Sequence, residues 1–354
     1  MAGCANALKT DVAIVGAGPA GAAAAISCAL SGLRVLLFER ERFPRERPGE
    51  TLHPGIEAPL RELGVLECVS QASFLRHQGI WVSWNSAPRF VAYGADDSGP
   101  WHGFQAWRAD FDAILLKRAR ELGVEVRQPC RVLGPTLSGG RVSGLETAEG
   151  TTEARFVVDA AGSGHLLARR LGLPVRRGSP RLVARFGYLK GACPDRDESP
   201  AIVADEKGWT WTARVRPNLY HWTRLDLDGR RPDLDYFVPD ELRGLSPCGR
   251  SRGADVSWRA VEESAGPGYF LAGDAAVVLD PASSHGVLRA ILSGMLAGHL
   301  IVEAVAGSRG EDAIAQSYDA WLASWFARDV AKLRDLYSGL PKPPRWLFRS
   351  DFPE

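Results

Sequence analysis

An excess of charge of either sign is missing from this sequence: 43 lysines and arginines stand against 42 aspartates and glutamates, a net charge of +1. So balanced a chain offers no bulk electrostatic attraction to nucleic acid or to an anionic membrane. Cysteines in C-x-x-C spacing are missing too. Cys4, Cys28, Cys68, Cys130, Cys193 and Cys248 are scattered, which argues against zinc and against a redox pair and is expected of reduced thiols in the cytoplasm. The start, MAGCANALKT, has no basic segment followed by an apolar one, and the glycine-rich stretch after it is broken by Pro19. Neither a secretory signal nor a transmembrane segment is expected there. No H-E-x-x-H or Cys/His cluster suggests a metal, and no G-x-S-x-G elbow marks a serine nucleophile. Lysine is absent between Lys9 and Lys117.

What is present is enough apolar residue, 45% of 354, to bury the core of one large or two smaller domains. The strongest local pattern is DVAIVGAGPAGAAAAISCAL. It predicts a short buried strand, a tight turn and a helix. Gly16, Gly18 and Gly21 make G-x-G-x-x-G around Pro19 and Ala20: the first glycine permits the turn, the second lets a pyrophosphate approach the backbone, and the third lets helix pack on strand. A second apolar strand, LRVLLFE, ends at Glu39, 18 residues beyond Gly21, where a carboxylate can meet ribose hydroxyls. These elements predict an adenine dinucleotide site on an α/β, Rossmann-like domain.

A nicotinamide dehydrogenase would continue with further strand–helix units, whereas ERERFPRERPGETLHPG interrupts the pattern here. From this point the chain resembles the FAD-dependent oxidoreductases related to aromatic hydroxylases, geranylgeranyl reductases and tryptophan halogenases. Four motifs carry the resemblance: the glycine box with Glu39 and Arg40, WRADFD with Arg108, VVDAAGSG from Val157, and FLAGDAA with Gly273 and Asp274. It implies FAD as cofactor, a flavin contact for Arg108, and a hydrogen bond from the ribityl chain to Asp274. The turn DPASSHG, with Pro281, then leads into a helix starting at Gly286 and Val287. Its N–H groups and positive dipole end would face the flavin edge that carries negative charge on reduction. Ser283 and Ser284 are expected to cap that helix.

The motifs place the FAD-binding domain in residues 1–72, 104–175 and 262–310, an interleaved, strand-rich substrate domain in 73–103 and 176–261, and a helical C-terminal tail in 311–354. Of the 11 tryptophans, Trp81, Trp84, Trp101, Trp107, Trp209, Trp211, Trp222 and Trp258 fall in or beside the substrate segments. Most are expected in the core, and some in a wall for an aromatic substrate.

RPGETLHPG and GWTWTAR resemble the G-E-x-x-x-P and W-x-W boxes of the halogenase-like branch. Two departures disfavour halogenation: the lysine that handles hypohalite in halogenases is missing from its window, and no Ile-Pro follows the W-x-W box. LDPASSHGVLRAILSGM most resembles the flavoproteins that mature quinone-cofactor amine oxidases and dehydrogenases, which oxygenate a tryptophan within a protein. The resemblance therefore implies a monooxygenase acting on an aromatic group of a peptide or protein through a C4a-hydroperoxyflavin. Reduction or dehydrogenation of a small or isoprenoid substrate is the alternative, followed by halogenation and by a non-catalytic flavin-binding accessory role. His285, Glu50 and His53 are the candidates for proton transfer. With no second dinucleotide fingerprint, the electron donor is left open between NAD(P)H and a partner flavin reductase.

Overall fold

The computed structural model describes residues 8–228 and 237–349; Cys4 and the last five residues of the expected tail lie outside them. Leu8–Val15 (β1) runs through the glycine turn into Pro19–Leu30 (α1) and Val35–Phe38 (β2). Then come Glu50–Leu52 (β3), the hairpin Gly79–Ser83 (β4) and Arg89–Ala92 (β5), Gly103–Ala106 (β6), Arg108–Glu121 (α2) and Glu125–Arg127 (β7). Val132–Ser138 (β8), Arg141–Thr147 (β9) and Gly150–Asp159 (β10) follow as a meander. Val183–Lys190 (β11), Ala201–Ala204 (β12), Gly208–Arg216 (β13), Leu219–Asp226 (β14) and Arg252–Asp255 (β15) precede Tyr269–Leu271 (β16) and two helices, Gly286–Val305 (α3) and Glu311–Ser338 (α4).

The first sheet has the order β7-β2-β1-β10-β9-β8, with β16 against β10. Strands β7, β2, β1, β10 and β16 are parallel, and the runs VAIV of β1, VLLF of β2, FVV of β10 and YFL of β16 are buried and apolar, as in sheets covered on both faces. Their register matters for the site. Val15 pairs with both Phe38 and Asp159, and Asp159 pairs with Leu271, so four strand ends stop in one row. The loops that leave this row are where ligands bind in open α/β sheets.

Behind the row, α1 and α3 pack closely. A side-chain carbon on Gly294 would fall 2.1 Å from the Ala20 carbonyl oxygen, and one on Gly298 would fall 2.7 Å from Ser27 Cβ. The alanines Ala22–Ala25 of α1 are fully buried. Small residues on both helices therefore set the distance. Among the described helices, α3 alone is long and apolar enough to cross a membrane; here it lies against α1 and carries Arg289, buried and paired with Asp329 of α4 at 3.3 Å.

The second sheet joins β4 and β5 to strands more than a hundred residues later, in the order β11-β14-β13-β12-β4-β5, with β15 against β11. It stands across the cleft from the row of strand ends. The tail is no appendage: Tyr337 of α4 is fully buried between Trp209 and Asp280.

Candidate functional site

A cleft of about 1580 Å³ runs from the glycine loop, past the start of α3, to the second sheet. At its nucleotide end, Gly16 has φ +95°, and a side chain there would strike the Ala160 carbonyl oxygen at 2.4 Å. A side chain on Gly21 would fall 1.8 Å from the Gly16 oxygen. Gly18 differs: a Cβ there would meet only the guanidinium of Arg45, at 3.1 Å. Its open side faces the cleft with Pro19 and Ala20. Helix α1 has no side-chain cap and no acid in its first turn, leaving its first N–H groups for an anion. This cradle fits a pyrophosphate.

Glu39 lines the cleft, and its carboxylate accepts from the backbone N–H of Ala17 at 2.9 Å, that of Glu41 at 2.9 Å and Arg45 at 3.1 Å. Arg40 lies at the rim, with 65% of its side chain exposed and Nε on Glu41. The cation that reaches inward is Arg45, which the sequence pattern did not single out. It also lies 3.6 Å from Asp112. Asp112 in turn accepts two hydrogen bonds from Arg108, at 2.8 and 3.1 Å. Their i,i+4 spacing at the head of α2 was the available signal.

Arg108 Nη1 sits 3.5 Å from Glu50. Burial raises the Glu50 pKa; Arg108 opposes the rise, while Asp274 and Asp112 add to it, and the carboxyl is pushed up to about 7. The Glu50 side chain, with 34% of its surface open, lines the cleft. Asp274 also faces the cleft, directly after Gly273 in the loop that follows β16. Asp159, by contrast, is spent on structure: fully buried, it accepts from the N–H groups of Ala161 and Leu167, while the loop after it lines the cleft.

The turn before α3 corrects the expected capping. Neither Ser283 nor Ser284 caps the helix: the N-cap is His285, and no side chain bonds the first turn. Ser284 is instead held in the left-handed region at φ 57°, so the bare helix end, with Gly286 and Val287, lines the cleft. Burial moves two titrating groups of the turn in opposite directions. It lowers the pKa of His285, whereas Asp280 is pushed up to about 6 by burial. Asp280 accepts from Trp258 Nε1 at 2.6 Å, Tyr337 OH at 2.8 Å and the Ala282 N–H at 2.9 Å, and Trp209 Nε1 donates to Tyr337 at 2.9 Å. Nothing local in the sequence marks this network, whose members come from four distant segments. Pro281 lies at the cleft within the same turn. His53 caps the short helical turn Pro54–Ile56, its Nδ1 accepting from the Gly55 N–H at 3.1 Å. Its ring lies 5.9 Å from that of His285 and 5.0 Å from Tyr93. The structure thus brings His53 and His285 together, and it joins Glu50 to Arg108.

The family model described as "FAD binding domain" matches residues 9–215. The chain belongs to this family. It is an FAD-dependent oxidoreductase with FAD as its cofactor. A 1H-pyrrole-2-carbonyl-[peptidyl-carrier protein] brominase of Pseudoalteromonas luteoviolacea is 29% identical over 84% of this chain and 78% of its own length. Tryptophan 2-halogenase of Chondromyces crocatus is 29% identical over 84% of this chain, which spans 62% of that enzyme. Among solved structures, CmlS, a flavin-dependent halogenase, superposes with a TM-score of 0.85 at 26% identity, over 98% of this chain and 68% of CmlS. These relatives speak against the low rank that the missing lysine gives halogenation.

Proposed function

We propose that the chain is an FAD-dependent monooxygenase that hydroxylates an aromatic, tryptophan-like group of a peptide or protein substrate. Bound and reduced, FAD supplies the electrons that activate O₂. Gly16–Gly21, Glu39, Arg45 and Asp274 would hold it, with the start of α3 at the ring. The observation that carries the reading is Glu50. It is a carboxyl poised near pH 7, held by Arg108 in the cleft wall. Placing oxygen on an aromatic carbon obliges that carbon to lose its proton, and a base with pKa near the working pH serves this best. The second sheet, with its β4–β5 hairpin, is the substrate side, and His53 and His285 line the same cleft as Glu50. The electron donor is NAD(P)H or a partner reductase.

Halogenation is the second reading, favoured by the brominase and the tryptophan 2-halogenase. Against it stands the cleft itself: no lysine is among the residues that line it. The deciding experiment incubates the FAD-loaded chain with a reductant, O₂ and tryptophan-containing peptides, with and without bromide. Gain of one oxygen, independent of bromide, supports hydroxylation; the isotope doublet of a brominated product overturns it in favour of the relatives' chemistry.

A further inference from the structure

Asp274 is exposed in the cleft, so the backbone around it decides where its carboxylate stands. That backbone is one short turn, Gly273–Ala275. Two buried side chains grip the turn on either side of Asp274. Before it, the Gly273 N–H donates to Ser293 Oγ at 2.9 Å. After it, the Ala275 carbonyl lies 2.8 Å from Nδ1 of His165.

The neighbours of His165 settle how that second bond runs. Arg259 Nε lies 2.8 Å from its Nε2, and a guanidinium only donates. Nε2 is therefore the acceptor, the ring is neutral, and its one proton sits on Nδ1 and is given to Ala275. Burial lowers the His165 pKa; the bond to Ala275 opposes the fall and Arg259 adds to it. Arg259 is itself fixed, on Asp255 at 3.1 Å and on the carbonyls of Ser257 and Ser163 at 2.9 and 3.2 Å. The backbone of His165 carries a cost as well. It stands before the short helix Leu166–Leu171 at φ 47°, a left-handed conformation that glycine adopts freely and a residue with a Cβ does not. What the chain gains from histidine there is the ring.

We propose that His165, with its tautomer set by Arg259, is a positioning residue for the cofactor: its Nδ1–H holds the turn so that the Asp274 carboxylate meets the ribityl chain of FAD. His165 is not itself among the residues that line the cleft, so it acts through Asp274. The inference rests on the reading that Asp274 holds FAD and extends it to a residue behind the site.

The test titrates the full chain, freed of flavin, with FAD and with ADP, which lacks the ribityl chain. His165→Phe keeps a flat ring and removes both nitrogens; FAD binds about tenfold more weakly, the ratio of one well-placed hydrogen bond, while ADP stays within about twofold of wild type. His165→Asn restores an N–H donor on a residue that tolerates left-handed backbone, and FAD affinity returns to within about threefold. Asp274→Ala weakens FAD by itself, and adding His165→Phe to it costs less than about twofold more, because the two residues act as one. Unchanged FAD affinity in His165→Phe, equal loss of FAD and ADP, or losses that multiply in the double variant each overturn the positioning role and leave Asp274 as an FAD residue. FAD affinity unchanged by Asp274→Ala overturns both. Where His165→Phe fails to fold, histidine nitrogen resonances of the wild-type chain at pH 7 decide: a ring at position 165 protonated on Nδ1 alone supports the role, and one protonated on Nε2 overturns it.

Discussion

Tyr337 donates a hydrogen bond to Asp280 at 2.8 Å, across 57 residues of sequence. This bond ties the last turn of the C-terminal helix to the turn that carries His285. Tyr337→Phe leaves Trp209 Nε1 without its acceptor and Asp280 with one donor fewer. A loss of about 1–3 kcal/mol is expected at neutral pH, the cost of buried groups left unpaired. Its sign with pH follows from Asp280. A carboxyl whose pKa is raised in the fold to about 6 contributes stability that is present below its unfolded value and lost as pH rises through the folded one. The Tyr337 hydroxyl stabilises the ionised form, so the variant's deficit grows as pH climbs from 5 to 8. Thermal melts across that range check it; a deficit independent of pH contradicts it.

Gly18 and Gly21 separate cofactor binding from folding. Gly18→Val places its side chain on the cleft side, where the only neighbour is the flexible end of Arg45. This variant folds and loses FAD. Gly21→Val drives a side chain into the Gly16 carbonyl, and no soluble folded product is expected. Flavin absorbance and far-UV circular dichroism on both variants distinguish the outcomes.

His285 makes no side-chain hydrogen bond among the described residues; its ring touches His53 and Trp325 through their edges. It therefore does not act by satisfying backbone groups. His285→Ala keeps FAD and shifts the Tm little, while turnover per folded molecule falls by roughly 10²–10⁴-fold, the range for a positioned acid or base. A normal rate removes His285 from the site.

How far the sequence could be read follows from which interactions are local. The glycine loop, Glu39 and the start of α3 are set by adjacent residues, and strand, turn and helix patterns reveal them. Arg45 escaped because it sits in an irregular insertion whose path follows no period, and only the fold brings it to Glu39 and Asp112. Trp209 and Trp258 read as ordinary core aromatics and Tyr337 as part of the helical tail; their convergence on Asp280 exists only once the second sheet and the tail have packed. His221 lies in a strand buried on both faces, a pattern that says nothing of what its ring meets. Sites made from one stretch of chain were legible, and sites made from several were not.

Glu50 gives the sharpest prediction, because its neighbours set both its protonation and its use. If the carboxylate takes the substrate proton, turnover rises with pH as Glu50 ionises, with the ascending limb centred near 7. Glu50→Gln removes that limb and lowers turnover by roughly 10²–10⁴-fold with FAD retained. Arg108 holds the Glu50 pKa down against burial. Arg108→Gln therefore moves the limb to higher pH, so activity lost at pH 7 returns in part at pH 9. A structural role for Arg108 lowers the rate equally at every pH. The same raised carboxyl contributes stability that is lost as pH rises through 7, since the folded chain holds a proton there that the unfolded chain has released. Buried histidines with lowered pKa push the whole-chain trend the other way, so the check is the melting temperature of the wild type minus that of Glu50→Gln, which falls between pH 5 and 8 while wild-type turnover rises. A difference independent of pH would remove Glu50 as the titrating base.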